Sequence, residues 1–150
     1  MSIDIIERSF PQDPTSLLPA VTPDNRQYWD GLAAGELQVQ RCSGCTRLRY
    51  PIVPVCPYCT GTLWQWRKLS GKGQVYSWVR YHRSYLPEFE DLMPYIVITA
   101  QMDEGVRMYG RLANTIARNE GVDIGAPVET VIERWPDGRC VPAFRLIGRK

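Results

Sequence analysis

Arg41-Cys42-Ser43-Gly44-Cys45 and Val55-Cys56-Pro57-Tyr58-Cys59 set four thiols in the spacing Cys-x2-Cys-x10-Cys-x2-Cys. Each Cys-x-x-Cys can form a tight knuckle with two sulfurs on one side. Two facing knuckles make a tetrahedral four-thiolate cage with zinc–sulfur distances near ~2.3 Å. Zinc is the first choice for a closed, structural site. Iron in a rubredoxin-like cage uses the same four sulfurs, and spacing alone does not separate the two metals. Two disulfides or a thioredoxin-like redox pair would draw on the same residues. Neither suits two matched knuckles without a βαβ pattern in a reducing compartment. Cys42, Cys45, Cys56 and Cys59 are therefore the expected ligands of one structural zinc per chain. Cys140 stands apart and reads as a buried strand cysteine.

Working outward, residues 41–60 alone have too little core to fold well. Zinc binding, worth about 10 to 16 kcal/mol in finger peptides, supplies the missing stability without implying catalysis. Upstream, residues 1–22 carry Pro11, Pro14 and Pro19 and show neither helical nor strand periodicity, so an extended arm is expected. Thr22-Pro23-Asp24-Asn25 then opens a helix, with Thr22 as cap and Pro23 at the first helical position. Tyr28, Trp29, Leu32 and Ala33 form its apolar face. From Glu36 the period changes to two, in Leu37-Gln38-Val39-Gln40 and again in Leu48-Arg49-Tyr50-Pro51, which gives a ribbon of short strands.

Beyond the ribbon, strands are expected over Gly73 to His82, Tyr95 to Met102, Val106 to Leu112, Val128 to Trp135 and Val141 to Ile147. Asp103-Glu104-Gly105 and Pro136-Asp137-Gly138 are turn signals that pair their flanking strands as hairpins. A linking segment near Ala113 to Glu120 joins the third strand to the fourth. Together these features give a mainly β chain: an arm (1–22), a helix plus rubredoxin-like zinc ribbon (23–69), and a five-stranded barrel of OB-fold type (70–150).

Charge and composition narrow the function classes. The chain has 150 residues, 44% hydrophobic and 23% charged, which suits one soluble domain or two very small ones and not a large multidomain enzyme. The apolar stretch Tyr95-Ile-Val-Ile-Thr-Ala100 falls far short of the roughly 18 residues of a spanning helix. The amino terminus lacks a basic start followed by an apolar run, so the cytoplasm is the expected compartment. Formal charge is +2, and four thiolates with one divalent ion lower it to about zero. Nucleic-acid binding, which normally needs a basic domain or stripe, is disfavoured.

At this point the sequence resembles the acyl-CoA-associated OB-fold proteins with an N-terminal rubredoxin-like zinc ribbon, long described as a domain of unknown function. The resemblance covers most of residues 23–148. It rests on Tyr28-Trp29, Gly35-Glu36-Leu37, the two knuckles, Pro51, Gly71-x-Gly73-x-Val75-Tyr76-Ser77, Pro94-Tyr95 and Gly125-x-Pro127-Val128. Many members carry glycine after the second knuckle cysteine, where this chain has Thr46, which should alter knuckle geometry but not ligation. The resemblance implies a non-catalytic accessory subunit in a hetero-oligomer. A thiolase-like large subunit supplies the nucleophile, and the small subunit contacts it and helps hold the coenzyme A thioester. Thiolase, acyltransferase and retro-aldol complexes all fall within this range.

The residues themselves offer little catalytic machinery. His82 is the sole histidine, Gly-x-Ser-x-Gly is absent, and Gly71-Lys72-Gly73 lacks the spacing of a nucleotide loop and reads as a strand-entry turn. Lys72, Tyr81, His82 and Arg83 are the candidate contacts to coenzyme A, because they combine polar donors with strand-edge placement. The loop Ser84 to Pro94 mixes Tyr85, Leu86, Phe89, Leu92 and Met93 with three acids, the composition of a covered surface. The competing reading is a single-stranded nucleic-acid module, with Tyr76, Trp78 and Tyr81 as stacking groups. A rubredoxin-like electron carrier is the third, and it requires iron.

Overall fold

Two antiparallel-dominated sheets and one helix account for the computed structural model, which describes residues 2–8, 19–113 and 121–148. In chain order the elements are β1 (Ile5–Glu7), α1 (Arg26–Ala33), β2 (Gln38–Cys42), β3 (Leu48–Arg49), β4 (Trp64–Lys68), β5 (Lys72–Tyr81), β6 (Tyr95–Met102), β7 (Arg107–Arg111), β8 (Pro127–Arg134) and β9 (Cys140–Leu146). A 3-10 turn, Pro87–Leu92, lies between β5 and β6. None of the described helices is long and apolar enough to cross a membrane.

The ribbon is the sheet β3-β2-β4, with both outer strands antiparallel to β2. The second sheet contains the five expected barrel strands. β5 pairs with β6, β6 with β7, β8 with β9 and β8 with β5, all antiparallel. One parallel bridge, Leu112 to Phe144, joins the β7 end to β9, so the Greek-key barrel is only partly closed there. The two predicted turns do connect the β6–β7 and β8–β9 hairpins. β6 shows why strands were legible: Ile96, Ile98, Ala100 and Met102 are buried while Tyr95, Val97, Thr99 and Gln101 alternate outward. Each large aliphatic side chain buried this way stabilises by about 1.5 to 3 kcal/mol. Gly73 is required where β5 meets β6, since a Cβ there would stand 2.4 Å from the Gln101 carbonyl oxygen.

Three local expectations need correction. The helix begins later than its sequence signal. Pro23 to Asn25 form a turn, in which the Thr22 carbonyl accepts from the Arg26 N–H at 2.9 Å and Asn25 Oδ1 accepts from the Thr22 N–H at 2.7 Å. The side chain of Asn25 thus reaches backward to the turn, and the helix has no side-chain cap. Ala33 is exposed, and Gly31 shares the buried face with Tyr28 and Leu32, because a Cβ at Gly31 would lie 3.2 Å from the Glu36 carbonyl oxygen. Finally, Ile5–Glu7, part of the expected arm, is a strand paired in parallel with Ile132–Arg134. Residues 9–18, and most of the linking segment after Ala113, lie outside the described residues.

Ribbon, helix and barrel share one apolar core. Tyr28, Leu32, Leu37 and Val39 cluster with Ile98, Met108, Val128 and Phe144. The junction is sealed by Tyr50, whose ring sits 6.3 Å from Tyr28 and 5.3 Å from Tyr109. Burial holds the Tyr28 phenol well above its ordinary pKa and pushes Tyr50 up to about 12, so both hydroxyls stay neutral.

Candidate metal centre and ligand-binding residues

The two knuckles fold as near copies of each other. Thr46 N–H donates to the Cys42 carbonyl at 3.0 Å, and Thr60 N–H to that of Cys56 at 2.9 Å. Cys42 N–H donates to the Arg47 carbonyl at 2.9 Å, and Cys56 N–H to that of Gly61 at 2.8 Å. The residue after each second cysteine is left-handed: Thr46 has φ 65° and Thr60 φ 63°. The threonine at position 46 therefore keeps the knuckle shape that glycine would adopt without strain.

This backbone brings the four Sγ atoms of Cys42, Cys45, Cys56 and Cys59 within 4.8 Å of one another. Cys42 and Cys59 approach to 3.5 Å, and Cys45 and Cys56 to 3.7 Å. A tetrahedral zinc with Zn–S near ~2.3 Å needs sulfur–sulfur edges of about 3.8 Å, so the cage fits that ion. Electrostatics agree. Backbone N–H groups of Cys45 and Gly44 bring the Cys42 thiol down to about 6. At Cys59 the Gly61 N–H lowers the pKa, but the crowded sulfurs of Cys42, Cys45 and Cys56 outweigh it and push the thiol up to about 11. Four sulfurs cannot all ionise in so small a space without a cation among them. Gly44 and Gly61 flank the cage, and a Cβ at either would lie 3.4 or 3.3 Å from Cys59 Sγ.

The nominated coenzyme A contacts are not gathered in one place. Lys72 opens β5, whereas Tyr81 closes it and His82 and Arg83 follow. At about 3.3 Å per residue the two groups stand roughly 30 Å apart, at opposite ends of the barrel. Tyr81 stacks on Tyr95 with ring centroids 5.0 Å apart and planes at 17°, and the Arg83 guanidinium lies 5.7 Å from the Tyr85 ring centre. His82 is exposed. The nominated stacking aromatics are likewise dispersed. Tyr76 is the bulge residue of β5 and sits under Arg107 at 3.7 Å, while Trp78 faces inward opposite Ile98 and packs against the core.

One polar cluster escaped the sequence reading. Glu133, 3% exposed, accepts from Arg111 Nη2 and from Arg8 Nη1, the latter at 3.3 Å. Its members are 22 and 125 residues apart in the chain, and only the fold brings them together.

Comparison with known proteins supports this architecture. The family model described as "ChsH2, rubredoxin-like zinc ribbon domain" matches residues 29–64, and "ChsH2, C-terminal OB-fold domain" matches residues 66–133. A chain of the solved "Ltp2-ChsH2(DUF35) aldolase" superposes with a TM-score of 0.73 at 32% identity, covering 86% of this chain and 98% of that one. The chain belongs to the DUF35 family. Among curated relatives, the "Probable enoyl-CoA hydratase alpha subunit" of Thermomonospora curvata is 37% identical over 110 residues, which is 73% of this chain and 33% of that protein. The "3-oxo-4,17-pregnadiene-20-carboxyl-CoA hydratase alpha subunit" of Mycobacterium tuberculosis is 32% identical over 133 residues, 83% of this chain and 39% of that protein. This DUF35 chain thus spans only about a third to two-fifths of the length of those two subunits.

Proposed function

We infer that this protein is the accessory, non-catalytic part of an enzyme complex acting on coenzyme A thioesters. It contacts a thiolase-like larger subunit and helps hold the acyl-CoA. The observation that carries the reading is the match, over 98% of that chain's length, to a chain of the Ltp2-ChsH2(DUF35) aldolase, whose name joins a DUF35 component to a second protein. The names of the two hydratase subunits add the coenzyme A ester.

The site chemistry supports a helper role. Four of the five cysteines form the metal cage, and Cys140 is buried at the start of β9. His82 is exposed and makes no ion pair among the described residues, so no carboxylate there is arranged to hold it as a base. Zinc at the four thiolates has a structural part only: the site is closed, with no open position for substrate.

The test is to isolate the tagged chain with its bound partner from native cells and, separately, the zinc-loaded chain alone. The complex is expected to contain a thiolase-like subunit and to turn over acyl-CoA, with about one zinc per DUF35 chain. The isolated chain should show no thiolysis, acyl transfer or retro-aldol cleavage. Turnover by the chain alone would overturn the accessory reading.

A further inference from the structure

We propose that the outer face of β5, β6 and β7, with the loop 82–94 that follows β5, is the docking surface for a protein partner that presents an apolar recess bordered by lysine or arginine side chains. This deepens the accessory reading and rests on it, by naming where on this chain the larger subunit sits and what chemistry it brings.

The surface originates in the β5 bulge. The extra residue Tyr76 shifts the alternation, so that Trp78 and Arg80 lie opposite the buried Ile98 and Ile96, while Ser77, Val79 and Tyr81 turn outward opposite Thr99, Val97 and Tyr95. β5 therefore presents apolar side chains outside as well as inside. Val79 remains 48% exposed, Tyr81 41%, and Tyr109, opposite Thr99 on β7, 50%. The loop extends the patch: Tyr85 is 85% exposed, Leu86 is exposed, and Phe89 lies 5.7 Å from the Tyr95 ring. Isolated exposed apolar residues are ordinary, but a contiguous aromatic and aliphatic patch marks an interaction site. In OB barrels the second and third strands and the first interstrand loop form the usual binding face, and here those elements are β6, β7 and residues 82–94.

Charge selects the occupant. Glu88, Glu90 and Asp91 stand on the 3-10 turn at the rim, and none has an ion pair among the described residues. Glu88 Oε2 is buried and has no hydrogen-bond donor among the described residues. The nearest guanidiniums in sequence are placed over rings, Arg80 over Trp78 at 5.6 Å and Arg83 over Tyr85 at 5.7 Å. Among the described residues these three carboxylates beside an apolar patch thus have no ion pair, and a matching surface supplies cations to them. A second copy packed loop to loop would bring the same three carboxylates, and a nucleic acid would bring phosphates. Both meet like charge.

Hydrogen exchange of the native complex against the isolated chain tests the surface. Amides within 79–97 should gain protection, and Glu90→Lys with Asp91→Lys, both exposed positions, should weaken association with the larger subunit at least tenfold, with zinc content and melting temperature unchanged. Protection confined to α1 or the ribbon, or wild-type affinity in the double variant, overturns the proposal and leaves the accessory reading standing. Failure to recover any larger subunit overturns both. Binding of a fluorescent dT20 oligonucleotide that is lost in Tyr81→Ala would give the face to nucleic acid. Dimerisation in light scattering that is lost in Tyr85→Ser would give it to a second copy. Either result also overturns the proposal.

Discussion

Thr46 and Thr60 hold the left-handed backbone on which each knuckle depends, at φ 65° and 63°. A residue with a Cβ costs about 1 to 2 kcal/mol in this conformation. Each threonine recovers part of that through its hydroxyl, which donates to the preceding cysteine carbonyl at 2.6 Å. Both side chains are exposed, so these bonds compete with water and contribute little net. Thr46→Gly should therefore stabilise the zinc-loaded protein by up to about 1 kcal/mol, raising the melting temperature by about 2 to 4 °C for a chain of this size. Zinc content should not change. A lower melting temperature would show that the hydroxyl bonds matter more than the strain. At this scale the sequence was informative: the knuckle spacing assigned all four ligands, and Thr46 stood out against its glycine-bearing relatives. Thr60 did not stand out, although it occupies the equivalent place, because the resemblance offered no contrast there.

At the scale of elements, strands whose partners follow closely in the chain were legible, and the one that pairs across it was not. β6–β7 and β8–β9 carry alternating burial and a glycine turn between them, and their expected limits differ from the observed ones by a residue or so. β1 has only three residues, too few for periodicity, and its partner β8 lies some 127 positions away. What holds it is tertiary: Arg134 pairs with Glu7 at 3.1 Å, Arg145 with Asp4 at 2.8 Å, and buried Glu133 with both Arg8 and Arg111. The exposed pairs are worth little. The Glu133 cluster is different. Burial, with a smaller contribution from the Arg8 charge, holds Arg111 down to about 10, and its side chain is only 21% exposed. Removing the carboxylate leaves two cations facing each other away from water. Glu133→Gln should cost about 3 to 5 kcal/mol in urea unfolding and speed amide exchange in residues 5–8. A cost below about 0.5 kcal/mol would mean that solvent reaches the cluster and that β1 is held by its backbone bonds alone.

For the whole molecule, the question is whether ribbon and barrel are two units or one. The residue patterns separated them at about residue 69, yet the core does not stop there. Leu37 and Val39, beside and in β2, pack with barrel residues. The aromatic seam Tyr28–Tyr50–Tyr109 crosses the same boundary. That coupling was not readable from the sequence, where Tyr50 was one aromatic in an inter-knuckle strand and Tyr109 one residue of a hairpin. It has a measurable consequence. Stripping zinc with a chelator should release the ribbon, because its strands β3 and β4 bury little apolar surface of their own. The barrel should stay folded, since Ile98, Met108, Val128 and Phe144 remain packed, but it loses the cover of Leu37, Val39 and Tyr28. In hydrogen exchange, amides of residues 38–68 should become fast, while those of 95–102 and 127–134 stay protected at a lower melting temperature. Loss of all protection in a single transition would show that the zinc cage is the keystone of one cooperative fold. An unchanged barrel melting temperature would show the opposite, that the shared core contributes nothing across the seam.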